Sequence, residues 1–209
     1  LEDIAMFRTL LDGVVLYPSD AVSTEKLVEA AARYNGIVYI RTTRKDTPII
    51  YSNNEKFHIG GSKAVKETDK DFVTVVASGI TLHEALAAYE QLKKENIFIK
   101  VIDLYSIKPI DVITLKNAAR ETKAIITVED HFAEGGIGEA VTSALLNTNI
   151  PIYSLSVRKL PRSGRPEELL DYEIQLVEKA GGSWTGKLRV GGVVNPAGDA
   201  VLEAVGGKH

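Results

Sequence analysis

The stretch FVTVVASGITLHEALAAYEQLKKENIFIKVIDL, residues 72–104, carries a strand, a helix and a second strand in direct succession. Residues 72–79 are a short valine-rich run, which is typical of a strand covered on both faces. The segment that follows repeats apolar residues at helical spacing, with Thr81 as its expected N-cap. The inner face of this helix is expected to carry Leu82, Ala85, Leu86 and Tyr89. Because a helix joins the two strands, we expect them to pair in parallel.

The alternation of strand and helix continues to residue 157. A single strand is expected over residues 99–109, since Pro109 must end it. The pattern then predicts a helix over 111–121 capped by Asp111, a strand over 124–130, a helix over 138–147 and a strand over 151–157. This order predicts a doubly wound open sheet with right-handed crossovers. Residues 161–180 are expected to form a loop and one closing helix.

Residues 1–43 show a shorter pattern of helix, strand, helix and strand. The first helix is expected to bury Ile4, Phe7 and Leu11, and either Asp20 or Ser23 is expected to cap the second. The inner side of the second helix is expected to hold Leu27, Val28, Ala31 and Ala32. Two strands do not make a stable parallel sheet, so further strands are expected upstream or on a partner.

Residues 44–70 are dense in charge, proline, asparagine and glycine, which predicts a connector between two units. We therefore expect an incomplete parallel-sheet unit with its connector over residues 1–60. A complete doubly wound domain is expected over residues 61–180. Residues 181–209 hold eight of the 17 glycines, which favours a flexible or appended tail.

The composition excludes several classes of protein. A net charge of −3 gives no global attraction to nucleic acid, and no apolar run is long enough to cross a membrane. The sequence has no cysteine, which excludes disulfides and thiolate metal sites and favours the cytoplasm. The chain begins at Leu1 without a methionine, which suggests that the N-terminus is not native or that the polypeptide is longer.

The stretch TVEDHFAEGGIGEAV, residues 127–141, could be a phosphate cradle, an acid/base site or a tight strand–helix turn. Its glycines do not complete the dinucleotide-binding spacing, because Val141 stands at the last position, and no lysine follows to make a Walker loop. Four acidic side chains would repel a phosphate: Glu129, Asp130, Glu134 and Glu139. The turn is therefore the favoured interpretation, with Gly138 letting the helix approach the sheet.

Glu129, Asp130 and His131 do not form a convincing acid/base group, because neighbouring residues on a strand point to opposite faces. We interpret His131 as part of a polar turn rather than as a catalytic residue. No two histidines have the spacing of metal ligands, and His83 is expected on the surface.

The segment YIRTTR, residues 39–44, places Arg41 and Arg44 at the carboxyl end of a strand, where open α/β sheets bind ligands. Arginine suits bidentate recognition of phosphate. The residues alone leave two interpretations open, a phosphate site or two solvated arginines.

Several motifs together resemble the transketolase family. In chain order they are LEDIAMFR, YPSDAVSTEK, IRTTR, VTVVASGITLHEALAA, VIDLYSIKPID, TVEDHFAEGGIGEAV and PRSG. The resemblance implies an α/β chain made of the last part of a thiamine-diphosphate pyrimidine-binding domain and a complete transketolase C-terminal domain. It also implies a partner portion, upstream or on a separate subunit, that binds the diphosphate and a divalent metal.

The family transfers a two-carbon ketol unit from a ketose phosphate to an aldose phosphate, in the pentose phosphate pathway, at sites between the subunits of a dimer. The resemblance implies that Arg44 binds the phosphate of the sugar substrate, and that Arg41 has a structural, supporting role. It implies no catalytic, cofactor-binding or metal-binding residue in this chain. Thiamine diphosphate with Mg²⁺ or Ca²⁺ is therefore expected only in the complete enzyme, and the isolated chain is expected to be inactive. Residues 127–141 then serve architecture and subunit contact.

Two alternatives stay open. The chain could be a non-catalytic dimerisation or binding module, because every cofactor-binding residue of the family lies upstream of Leu1. It could also belong to a related thiamine enzyme, a deoxyxylulose-phosphate synthase or the beta chain of a 2-oxoacid dehydrogenase, which carry related forms of the glycine-rich motif. LEDIAMFRT and PRSG fit transketolase better.

Overall fold

The computed structural model of the protein describes residues 1–44, 46–158, 173–176 and 186–189. The helices in these ranges are α1 (Asp3–Arg8), α2 (Ala21–Ala32), α3 (Ile80–Lys94), α4 (Val112–Glu121) and α5 (Ile137–Ala144). The strands are β1 (Val14–Leu16), β2 (Val38–Ile40), β3 (Lys63–Lys66), β4 (Val73–Ala77), β5 (Ile99–Asp103), β6 (Ser106–Lys108), β7 (Ala124–Phe132), β8 (Ile152–Val157), β9 (Glu173–Leu176) and β10 (Gly186–Arg189).

The main sheet has five strands in the order β3, β5, β4, β7, β8. Strands β5, β4, β7 and β8 are parallel, and β3 pairs antiparallel with β5 at one edge. Strand β4 lies in the middle, so the chain passes from β4 to β5 on one side and later to β7 on the other. The predicted doubly wound open sheet is confirmed.

Helices cover both faces of this sheet. On one face α3 packs Leu82 against Val75, and on the other α4 and α5 pack Leu115 and Ile137 against Ile125. Burying one such aliphatic side chain contributes roughly 1.5–3 kcal/mol. Because both faces are covered, every residue of β4 and β5 is buried, without alternation of buried and exposed positions.

A second, three-stranded sheet joins the two predicted units. Strand β1 pairs in parallel with β2 and antiparallel with β6, which comes from the second unit. The single strand predicted over residues 99–109 was therefore wrong. After β5 the chain leaves the main sheet, and β6 joins the sheet of the first unit as its third strand. Ile107 of β6 is buried in the same cluster as Ile4 of α1, so the two units share one core.

Fewer apolar residues of α1 and α2 are buried than predicted. Helix α1 ends at Arg8, so Leu11 falls beyond it and is 89% exposed. On α2, Leu27 is buried as predicted, but Val28 and Ala32 are exposed. Of the two residues predicted to cap α2, Asp20 is the N-cap. Its carboxylate accepts a hydrogen bond from Ser23 N at 2.7 Å.

The cap of α3 also differs from the prediction. Gly79 is the N-cap, and Thr81 lies inside the helix. Thr81 Oγ1 lies 2.9 Å from the carbonyl oxygens of both Ser78 and Val128, and so ties the start of α3 to β7. Asp111 caps α4 as predicted.

The predicted connector is more ordered than its composition indicated, because it contains β3. Gly60 N donates to Ser106 Oγ at 2.9 Å, and the Ser62 hydroxyl donates to Asp111 at 3.0 Å. These bonds fasten the connector to the second unit.

The last described residues depart from the predicted closing helix. Glu173–Leu176 form β9, which pairs antiparallel with β10. The rest of 159–209, with the PRSG motif and most of the glycine-rich segment, lies outside the described residues. Within the described part, no helix combines the length and apolar character needed to cross a membrane.

Candidate functional site

The crevice at the carboxyl ends of β4 and β7 is filled by a side chain of the first unit. Ligands of open α/β sheets bind where the strand order reverses, which here is between these two strands. Tyr17 is buried there, and its hydroxyl donates to Asp130 Oδ2 at 3.1 Å and accepts from Ile80 N at 3.5 Å. This part of the sheet edge is therefore a contact between the two units.

Gly79 is required for this contact. Its φ of +55° lies in the left-handed region, and a Cβ would stand 2.0 Å from the Tyr17 ring. The backbone at the start of α3 thus approaches the ring more closely than any other residue type would allow.

Arg41 directly follows β2, and its side chain is bound by other residues of the chain. Its Nη1 lies 2.7 Å from Asp130 Oδ1, and its Nε lies 3.0 Å from Asp3 Oδ2. Its guanidinium also stacks 4.8 Å from the centroid of the Tyr17 ring. Burial lowers the pKa of Arg41, but the charges of Asp130 and Asp3 outweigh it and hold that pKa above the ordinary value. The side chain retains only 12% exposure.

Arg44 stands three residues further along and is exposed. Among residues 1–44 and 46–158 it has no ion-pair partner. The structure therefore separates the two arginines that the sequence placed together. One guanidinium is held by carboxylates of α1 and β7, and the other is open to a ligand.

The segment after Arg44 is fixed by buried carboxylates. Asp20 Oδ2 accepts hydrogen bonds from Ile50 N at 2.8 Å and Tyr51 N at 3.0 Å. The Tyr51 hydroxyl donates to Asp103 Oδ2 at 2.6 Å, and Ser19 donates to the other oxygen of Asp103 at 2.8 Å. Sequence reasoning missed Tyr17, Tyr51 and Asp103. The only signal for Asp103 was an acidic residue at the end of a buried strand.

Two buried carboxyl groups have raised pKa values. Burial raises the pKa of Asp103 to about 7, although the hydrogen bonds from Tyr51 and Ser19 lower it. Burial likewise raises the pKa of Glu129 to about 7, against the backbone N–H groups of Gly138 and Ile137. Both groups are fully shielded by protein.

The 127–141 stretch forms a strand–helix turn. Glu129 accepts hydrogen bonds from Ile137 N at 2.6 Å and Gly138 N at 3.0 Å, so its own carboxylate occupies the position that a phosphate would take. A Cβ on Gly138 would stand 2.5 Å from Ser154 Oγ. The close approach of the helix to the sheet was predicted correctly.

Two of the histidines, His131 and His83, make side-chain contacts to the backbone. His131 is fully buried on β7 rather than in a turn, and its Nε2 accepts from Ala5 N at 3.3 Å. Its Nδ1 therefore carries the proton and donates to Phe132 O at 2.6 Å. His83 was expected on the surface but is half-buried, with Nε2 at 2.6 Å from Ser19 O.

The donor set of the described residues does not fit a divalent metal. Within them, no group of three or more histidine, aspartate and glutamate side chains converges on one point. The buried carboxylates Asp20, Asp103 and Glu129 are each occupied by donors of the chain itself.

Comparison with known proteins agrees with this architecture. Residues 62–176, over half of the chain, match the family model described as transketolase, C-terminal domain. Human transketolase is 54% identical over 172 residues, which are 81% of this chain and 28% of that protein. Transketolase-like protein 1 of Macaca fascicularis is 52% identical over 173 residues, 82% of this chain and 29% of that protein. The chain thus spans less than a third of these relatives.

Two solved structures share the fold. A split-gene transketolase, described as an inactive β4 tetramer, superposes with a TM-score of 0.73 at 40% identity, over 77% of this chain and 53% of that chain. A transketolase from Campylobacter jejuni gives a TM-score of 0.57 at 17% identity, over 82% of this chain and 26% of that chain, which bears on the fold alone. The chain therefore belongs to the transketolase family and carries its C-terminal domain.

Proposed function

We propose that this chain is the C-terminal portion of a transketolase and works with an N-terminal portion, on the same polypeptide or on a separate subunit. The complete enzyme would transfer a two-carbon ketol unit from a ketose phosphate to an aldose phosphate, in the pentose phosphate pathway of the cytoplasm. The match of residues 62–176 to the C-terminal domain family carries this proposal. A split-gene relative supports the option of a separate partner.

The exposed edge of the three-stranded sheet supports the need for an N-terminal portion that completes this sheet. In the described chain, β2 pairs with β1 on one side only, and its residues are half-buried. Ile37, just before β2, is 57% exposed. An unpaired apolar strand edge is a template for another strand. We propose that the N-terminal portion pairs with this edge. The two subunits of the complete enzyme would then contact each other through other surfaces.

Thiamine diphosphate and its divalent metal, Mg²⁺ or Ca²⁺, belong to the completing portion in this proposal. When bound, the cofactor supplies the carbanion chemistry that a two-carbon transfer needs. In this proposal the present chain contributes substrate binding.

Arg44 is the residue assigned to that binding. It is exposed four residues after the end of β2, whereas Arg41, which follows β2 directly, is held by Asp3 and Asp130. A guanidinium donates two parallel hydrogen bonds to a phosphate, which also fixes the reach of the sugar toward the reacting centre. Arg44 would therefore recognise phosphorylated ketoses and aldoses.

The alternative is a non-catalytic assembly module. It is favoured by the internal use of Asp20, Asp103 and Glu129, because each of these carboxylates binds groups of the chain itself rather than facing a ligand. A related thiamine enzyme is a weaker alternative, since the matched relatives named above are transketolases and transketolase-like proteins.

The proposal is tested by joining residues 1–209 to a transketolase N-terminal portion and assaying ketol transfer. Arg44→Ala should lower kcat/KM for a phosphorylated ketose by about 10–100-fold, and lower it far less for an unphosphorylated one. Arg33→Ala, at an exposed arginine on the end of α2, is the matched control. Equal losses on both substrates would refute the phosphate role, and no transfer by the joined wild-type chains would favour the assembly module.

A further inference from the structure

The segment that carries Arg44 is fastened at both ends by side chains of the opposite unit. Its first end is Arg41, which Asp130 of β7 holds through Oδ1 at 2.7 Å and through its carbonyl oxygen at 3.2 Å. The Arg41 backbone N also donates to Leu16 O at 2.9 Å. These bonds therefore fix the position and direction of the chain where the segment begins.

The second end is Tyr51. Its hydroxyl donates to Asp103 at the end of β5, and its backbone N donates to Asp20. Asp103 is fully buried and Asp20 is only 2% exposed. Hydrogen bonds in such a shielded place hold firmly, because water does not compete for either partner.

Between these ends the described residues form no regular secondary structure. Residues 41–44 and 46–62 contain no helix or strand, and most of residues 42–44 and 46–49 are exposed. A backbone without a hydrogen-bonded ladder takes its position from its fixed ends. The ends thus determine where the guanidinium of Arg44 stands.

We propose that Asp130 and Tyr51, the latter through its bond to Asp103, are positioning residues for recognition of the substrate phosphate. They hold Arg44 where its guanidinium can bind the phosphate of the sugar. The inference rests on the proposed function of Arg44. It gives the C-terminal domain a part in substrate specificity, because β5 and β7 of that domain carry both anchor points.

The test uses the complete enzyme with Asp130→Asn or Tyr51→Phe in this chain. For each variant, kcat/KM is measured with a phosphorylated ketose and with its unphosphorylated counterpart. We expect the ratio of the two values to fall about 3–10-fold, mostly through KM for the phosphorylated substrate, because a displaced guanidinium binds phosphate more weakly.

Tyr105→Phe is the matched control, because it removes a phenol hydroxyl from the same aromatic cluster and leaves the hydrogen bonds of Tyr51 and Asp130 in place. It should leave the ratio unchanged. Tyr51→Phe retains the aromatic ring and removes only the hydroxyl. It therefore provides the test if Asp130→Asn fails to fold.

The outcomes separate the two proposals. A lower ratio for Arg44→Ala and for the anchor variants supports the inference. A lower ratio for Arg44→Ala alone overturns the inference and leaves the role of Arg44 intact. An unchanged ratio for Arg44→Ala overturns both.

Discussion

The guanidinium of Arg41 reaches across from β2 to the carboxylate of Asp130 on β7, with 2.7 Å between Nη1 and Oδ1. The two residues lie in units that the sequence pattern separates by a connector. Asp3 and Tyr17 complete the network on the first side. This polar, directional contact adds to the shared apolar core and fixes the relative orientation of the units more sharply than apolar packing alone.

Removing the guanidinium should destabilise this contact. Arg41→Met leaves Asp3 and Asp130 without their cation, and we expect a loss of about 2–4 kcal/mol of unfolding free energy in urea. Arg33→Met, at an exposed arginine, should change it by less than about 0.5 kcal/mol. A similar small change for both variants would mean that the network contributes nothing to stability.

The raised pKa of Asp103 makes stability depend on pH. In the unfolded chain this carboxyl titrates near its ordinary value of about 4, whereas burial raises its pKa to about 7 in the fold. The folded protein therefore holds a proton that the unfolded chain has released. The stabilisation is complete below about pH 4 and is lost as the pH rises through about 7.

Urea unfolding between about pH 5 and about pH 7 checks this dependence. We expect wild-type stability to fall by up to about 1.4 kcal/mol per pH unit for each such group, and Glu129 adds to the slope because its pKa is also raised. Asp103→Asn should show a shallower fall. Asp69→Asn, at an exposed carboxylate, should keep the wild-type slope. Parallel curves for Asp103→Asn and wild type would contradict the assignment.

The groups that face Asp103 modify this behaviour. Tyr51 and Ser19 donate to it, Asp20 raises its pKa and Lys63 lowers it. Together these groups change the pKa of Asp103 less than burial does, so the pKa stays raised. Stability is therefore expected to fall as the pH rises.

Gly138 should not tolerate a side chain. A Cβ there would stand 2.5 Å from Ser154 Oγ and 3.1 Å from Thr127 Oγ1, so Gly138→Ala must push α5 away from the sheet. We expect thermal unfolding to show a loss of about 1–3 kcal/mol, even though alanine favours the helix by about 1 kcal/mol. Ser143→Ala, on the exposed side of the same helix, should be neutral or stabilising. Equal effects of the two changes would show that the helix has room to move.

Ile4 tests whether the two units unfold together. It is fully buried in a cluster with Ile102 and Ile125 of the main sheet. Ile4→Ala should cost roughly 2–5 kcal/mol and shift one cooperative transition. Met6→Ala, on the exposed side of α1 at 57% exposure, should have little effect. Two separate transitions, with only the first one shifted, would instead show independent units.

Most of the helices and strands could be predicted from local patterns. The run VTVVA marked β4, the acidic residue before VITL marked the start of α4, and Gly138 marked the tight entry into α5. Each of these signals depends on neighbours within a few residues, so the sequence states it directly. The same holds for the family, whose motifs are contiguous stretches.

The sequence by itself therefore determined the doubly wound sheet and the family, and it predicted that Arg41 and Arg44 lie together near one strand end. Only the tertiary structure decided that β6 leaves the main sheet to join β1, that Tyr17 fills the crevice beside β7, and that Arg41 is bound while Arg44 is exposed. The reason is physical. These outcomes depend on partners many residues away, and the energy of a buried ion pair or strand ladder exists only once those partners meet in space.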